Sequence, residues 1–174
     1  RRLLVLGAGP VGCEMAQAFA RFGSHVTVLD TAEQVLPRED RDAAALIQRQ
    51  LSADGVQFKL NAAIQKVVHH GAEIQVHFQQ SGLADDVCGD QFLIAGGREP
   101  NIENLNLKVA GVVYGESGVV VNDQLRTTNR RIYAAGDVCS TFRFTHVADA
   151  MARVAIQNAL FYGRKKASTL VIPS

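Results

Sequence analysis

A glycine-rich turn between an apolar tetrapeptide and a helical repeat leaves few folds open to this chain. Leu3-Leu4-Val5-Leu6 is a short apolar run of the kind that forms a strand buried on both faces. Gly7-Ala8-Gly9-Pro10-Val11-Gly12 follows it directly. Val11, Met15, Ala18, Phe19 and Phe22 then recur at helical spacing, which predicts a helix packed through those residues, with Gly23 as its stop. His25-Val26-Thr27-Val28-Leu29 reads as a second strand, and Asp30 stands at its C-terminal end, about twenty residues past the glycines. Spacing of glycines alone is a weak signal. Strand, glycines, helix, second strand and acid together predict a βαβ unit that binds a dinucleotide.

Each residue type has a task in that reading. Gly7 permits the tight turn, Gly9 lets backbone approach a pyrophosphate, and Gly12 lets helix pack on strand. Pro10 and Val11 open the helix, whose N-terminus favours negative charge. Asp30 can accept hydrogen bonds from both ribose hydroxyls of an adenosine. It would repel a 2′-phosphate, and Thr31-Ala32 offers no cation in exchange, although Arg38 and Arg41 lie further on. The expected cofactor is NAD(H) in preference to NADP(H).

A second strand end carries a similar message. In Thr127 to Asp137, the segment Ile132 to Ala135 reads as a buried strand ending in bare Gly136 and one carboxylate, Asp137. Such a tip can approach a phosphate and hold a sugar-like hydroxyl. Two ends of this kind suggest two nucleotides with electron transfer between them.

Elsewhere the pattern is coarser. Arg41 to Ala53 reads as a helix with Ala43, Ile47 and Leu51 on one face, and Val56 to Leu60 as a strand. Ala63–His69 and Glu73–Gln79 form a hairpin over the parallel sheet, and Gln91 to Ala95 is another buried strand. From Glu99 to Gly118 proline and glycines break the pattern, which marks a crossover between lobes. Val119 to Val121 reads as a strand, and Val147 to Tyr162 as a helix with Val147, Met151, Val154 and Asn158 along one side.

Charge narrows the function class. Eighteen basic against seventeen acidic residues leave a net charge of +1, so no broad field recruits nucleic acid or a membrane surface. No apolar stretch is long enough to span a bilayer, and no signal peptide is expected from the opening residues. Three widely spaced cysteines, Cys13, Cys88 and Cys139, indicate a reducing, cytoplasmic setting without a disulfide framework. His69, His70 and His77 lack a companion at ligand spacing, so no metal site is expected.

The chain resembles the pyridine nucleotide-disulfide oxidoreductases, the flavoproteins that include mercuric reductase and dihydrolipoamide dehydrogenase. The resemblance runs through Gly7 to Ala16, Gly97-Arg98-Glu99-Pro100-Asn101, Arg126 to Asp137, and the helix beginning near His146. It implies an α/β fold: a Rossmann-like NAD(P)H-binding domain over residues 1–100, a crossover over 101–122, and the returning part of an FAD-binding domain over 123–174. Cofactor contacts are then implied at Gly7, Gly9, Pro10, Val11, Gly12, Glu14, Asp30, Gly97, Gly136, Asp137 and Ala148. Glu14 is assigned a supporting place near the nicotinamide, Asp137 a ribitol hydroxyl of FAD, and His146 to Asp149 the flavin pyrimidine ring. No residue of this chain is assigned as catalytic. The expected activity is hydride transfer from NADH to flavin and on to a disulfide or metal-ion acceptor. An N-terminal FAD unit and a dimerisation domain of the same polypeptide would complete the enzyme, which would be a homodimer. A stand-alone NADH sensor and a flavin-only NADH oxidase remain the alternatives.

Overall fold

The structure, a computed structural model, describes residues 1–161 and 163–172. Two compact units divide the chain, Arg1–Gly97 and Arg98–Ser174.

The first unit is built on a four-stranded parallel sheet. In chain order its elements begin with β1 (Arg2–Leu6), α1 (Pro10–Arg21), β2 (His25–Leu29), α2 (Arg41–Ala53) and β3 (Val56–Lys59). They continue with β4 (Ala62–His70), β5 (Glu73–Gln80), β6 (Leu83–Gly89) and β7 (Gln91–Ile94). The parallel order is β3-β2-β1-β7, with Leu3 opposite Val26 on one side and Gln91 on the other. β4, β5 and β6 form a separate antiparallel sheet.

This layering explains why β1 is apolar from Leu3 to Leu6. Leu3 and Val5 join Val26 and Val28 in one core with Cys13 and Ala16 of α1 and Ala44 and Leu51 of α2. Leu4 and Leu29 point the opposite way, into a second core with Ala62, Val76 and Phe78 of the antiparallel sheet. A strand covered on both faces has no polar side, so alternation disappears. Phe78 is 1% exposed, and burying a side chain of that size stabilises by roughly 1.5–3 kcal/mol.

Three local expectations need correction here. α1 does not pack through its large residues: Val11, Met15, Phe19 and Phe22 are exposed, and the buried positions are Gly12, Cys13 and Ala16. Close approach of helix to strand selects small side chains, and the bulky ones are left outside. On α2 the buried residues are Ala44 and Leu51, while Ala43 and Ile47 are exposed. The hairpin also gains a third strand, β6, whose Asp85 and Asp86 are exposed and whose Gly89 crosses Leu4. Leu83 to Asp86 are exposed on both faces, so β6 carries no apolar alternation.

The second unit has little sheet. β8 (Tyr114–Gly115) and β9 (Gly118–Val119) make a two-residue hairpin, so the strand expected over Val119–Val121 is shorter and starts earlier. Ile132 to Ala135 is not a strand: its only ladder contact among the described residues is one antiparallel bridge, Arg126 to Tyr133. An apolar tetrapeptide becomes a strand only where neighbours accept its N–H and C=O groups in series. The helix α3 spans Thr145–Leu160, and the expected end at Tyr162 lies outside the described residues. Val147, Met151, Val154 and Asn158 do lie along its buried side, against Leu125. The buried Asn158 amide is fully used: its nitrogen donates to Gln124 O (3.1 Å) and Lys165 O (2.8 Å), and its oxygen accepts from Lys165 N–H (2.9 Å).

Candidate functional site

The turn from β1 into α1 is fixed by contacts that only glycine allows. Gly7 has φ +106°, and a Cβ there would stand 2.5 Å from the Ala95 carbonyl oxygen. At Gly12 an added Cβ would fall 1.8 Å from the Gly7 carbonyl oxygen. Gly9 differs from both. It is extended (φ −73°, ψ −176°), and a Cβ on it would meet nothing within 4 Å.

Gly9 is the N-cap of α1. The first helical hydrogen bond of the turn runs from Cys13 N–H to Gly9 O (2.9 Å), which leaves the N–H groups of Val11 and Gly12 ahead of it. Pro10 occupies the first helical position, where its missing N–H costs nothing. Glu14 is exposed one turn on. Two backbone donors, a helix N-terminus and no side chain in the way suit an anion.

Asp30 closes the other side. Its Oδ2 accepts the Ala8 N–H at 2.6 Å and its Oδ1 the Ala32 N–H at 2.8 Å. The carboxylate thus ties the glycine turn to the end of β2, and it keeps lone pairs for a further donor. This latch was invisible in the sequence, where Asp30 reads only as a ribose acceptor. The following loop is pinned to the same turn, since Leu36 N–H donates to Ala8 O at 2.8 Å. Beneath it Cys13 donates from Sγ to Ala8 O (3.3 Å); burial, assisted by the Asp30 charge, pushes its thiol up to about 11. A thiol held protonated is a packing group, not a nucleophile.

In the second unit Gly136 and Asp137 belong to a single 3-10 turn, Gly136–Val138. A Cβ at Gly136 would touch that of Ala148 at 3.0 Å, so the missing side chain lets the first turns of α3 come close. Asp137 and Ala148, expected at one cofactor, are therefore brought to one place. Asp137 is ion-paired with Arg98 at 3.1 Å, a partner 39 residues away that no spacing rule marks. The Arg98 guanidinium also donates to Arg143 O at 3.4 Å. Gly97 is exposed, with φ +114°, and a Cβ on it would meet nothing within 4 Å. Burial pushes the Cys139 thiol up to about 11. Among the described residues no three His, Cys, Asp or Glu side chains are grouped to hold a metal ion, and no helix is long and apolar enough to cross a membrane.

The family model for pyridine nucleotide-disulphide oxidoreductases matches residues 1–152. The chain belongs to that family. It is 40% identical over 162 residues to the probable pyridine nucleotide-disulfide oxidoreductase RclA of Escherichia coli (strain K12), covering 92% of this chain and 36% of that protein. Mercuric reductase of Staphylococcus aureus is 34% identical over 174 residues, 99% of this chain and 32% of its own length. The solved structure of the HOCl-induced flavoprotein disulfide reductase RclA from Escherichia coli superposes with a TM-score of 0.85 at 36% identity. That match covers 96% of this chain and 38% of the other. The chain thus spans about a third of the length of the curated relatives it matches. Membership agrees with the α/β fold and with the resemblance read from the motifs.

Proposed function

We propose that this chain is the dinucleotide-binding portion of an FAD-dependent oxidoreductase. NADH binds at the turn from β1 to α1, and FAD is held in part by the second unit. The observation that carries the reading is the open space at Gly9, the N-cap of α1, next in the chain to the unbonded Val11 and Gly12 N–H groups and to Ala8, whose N–H the Asp30 carboxylate accepts. A pyrophosphate suits the first two, and an adenosine ribose suits the third. In this assignment Gly7, Gly9, Pro10, Val11, Gly12, Glu14, Asp30 and Gly97 serve the NAD(P)H-binding domain over residues 1–100. Gly136, Asp137 and Ala148 serve the FAD-binding part over 123–174.

The residues fit both groups. Gly136 lets the first turns of α3 close on the 3-10 turn, and Asp137, 39% exposed beside Arg98, can accept a hydrogen bond from a ribitol hydroxyl. When bound, the nicotinamide supplies a hydride and the flavin accepts it, for delivery to a disulfide or metal-ion acceptor. The chain's own part is to bind and orient: backbone N–H groups fix the phosphates, and two carboxylates fix the sugar-like hydroxyls. The reading includes a homodimeric full-length protein completed by an FAD unit and a dimerisation domain, and a cytoplasmic location consistent with three free cysteines.

Isothermal titration of the chain with NADH and NADPH tests the assignment. Saturable binding of NADH, tighter than NADPH, is expected because the Asp30 charge opposes a 2′-phosphate. Equal or tighter NADPH binding, or no binding of either, would overturn it.

A further inference from the structure

The arch that follows Asp30 holds a second acid whose placement bears on cofactor choice. The arch is anchored at both ends. Ala32 N–H donates to Asp30 Oδ1 and Ala32 O accepts from Asn61 N–H (2.9 Å), while Leu36 N–H donates to Ala8 O. Val35 is fully buried under it. Glu33 stands between the anchors with its side chain 63% exposed, and its carboxylate pairs with the Arg41 guanidinium.

Arg41 is the first residue of α2. The positive end of a helix dipole repels a cation there, so a carboxylate outside the helix determines where the guanidinium rests. A 2′-phosphate on the adenosine ribose would bring a dianion to the same corner and would need a cation to replace what Asp30 repels. Arg41 is such a cation, and Glu33 occupies it.

We infer that Glu33 is a second specificity-determining residue: it sequesters Arg41 from the 2′-phosphate of NADPH, so that discrimination rests on two carboxylates, Asp30 and Glu33. The inference rests on the proposed dinucleotide site at the glycine turn. Arg38, exposed two residues past the Leu36 anchor and without an ion pair among the described residues, is the competing cation. Glu39, exposed three residues past the Leu36 anchor and likewise unpaired among the described residues, serves as a matched charge control.

Affinities for NADH and NADPH are measured by calorimetry for the parent chain and for Glu33→Gln, Glu33→Gln/Arg41→Gln and Glu39→Gln. Unchanged circular dichroism and melting are expected, because an exposed ion pair contributes little. Glu33→Gln should narrow the NADH-over-NADPH ratio roughly fivefold, about the worth of one freed exposed charge contact. Glu33→Gln/Arg41→Gln should restore the parent ratio, and Glu39→Gln should leave it unchanged. No shift in Glu33→Gln, an equal shift in Glu39→Gln, or a shift that survives loss of Arg41 would overturn the inference, the last pointing to Arg38. A parent chain that binds neither nucleotide would instead overturn the site itself.

Discussion

Replacing Gly9 and Gly12 by alanine, one at a time, separates what the glycine turn does for the fold from what it does for a ligand. At Gly12 the new Cβ would stand 1.8 Å from the Gly7 carbonyl oxygen, a backbone atom that cannot rotate away. Since such contacts do not occur below about 3 Å, α1 must retreat by at least about 1 Å from β1, opening the core that Cys13, Ala16, Leu3 and Val5 share. Overpacking of this kind costs about 1–3 kcal/mol, and the gain of roughly 1 kcal/mol in helix propensity on replacing glycine offsets only part of it. At Gly9 the backbone is extended and the Cβ enters open space, so stability should change by less than about 0.5 kcal/mol. A phosphate seated in that space would meet the new methyl group. Urea unfolding followed by circular dichroism, with NADH titration of each folded variant, reads both effects. Gly12→Ala should lower the unfolding midpoint, whereas Gly9→Ala should keep it and weaken NADH binding at least about tenfold, the effect of roughly 1.4 kcal/mol. A neutral Gly12→Ala, or a Gly9→Ala that binds NADH as the parent does, would refute the reasoning.

Three further outcomes are expected. Asp54, Asp85, Asp90 and Asp123 have carboxyls below the usual range, Asp90 chiefly through the Arg2 N–H and then its guanidinium. A depressed folded-state value gives stability that is full above the unfolded value and lost as pH falls through the folded one, so urea midpoints should decline below about pH 4. Asp90→Asn should show a shallower acid limb, and an unchanged limb would contradict the assignment. Cys13 and Cys139, both pushed up to about 11, should alkylate at pH 8 at least about a hundredfold more slowly than in urea; rapid labelling at either of these two positions in the native chain would count against thiols held protonated. Hydrogen exchange should protect Leu3 to Leu6, paired on both sides, far better than Ile132 to Ala135, which has a single bridge; equal protection would show that the second segment is paired as a strand.

The first unit was the more legible half because its information is local. Gly12 is dictated by a clash with the Gly7 carbonyl five residues back, although the Ala95 carbonyl that dictates Gly7 comes from the far end of the unit, and the apolar runs at Leu3–Leu6 and His25–Leu29 predict strands that the structure contains as β1 and β2. Facing was harder. The large residues of α1 look like a core stripe, yet the close approach of helix to sheet buries Gly12, Cys13 and Ala16 instead. The Asp85-Asp86 pair disguised β6, because Leu83 to Asp86 are exposed on both faces and leave no apolar alternation. Ile132 to Ala135 has the composition of a strand, but pairing depends on neighbours that composition does not reveal. At the candidate sites the glycines and acids stand out in the chain. The bonds from Ala8 to Asp30, from Arg98 to Asp137 and from Arg41 to Glu33 do not, because each joins residues that only the folded backbone brings together.

The central claim is that a dinucleotide sits on the turn between β1 and α1. Titrating NADH into the isotopically labelled chain while recording amide chemical shifts tests it most directly. Saturable shifts concentrated at Ala8, Gly9, Val11, Gly12 and Cys13, and at Asp30 to Glu33, are the predicted result. Saturation without perturbation of those amides, or shifts confined to another surface, would contradict the account.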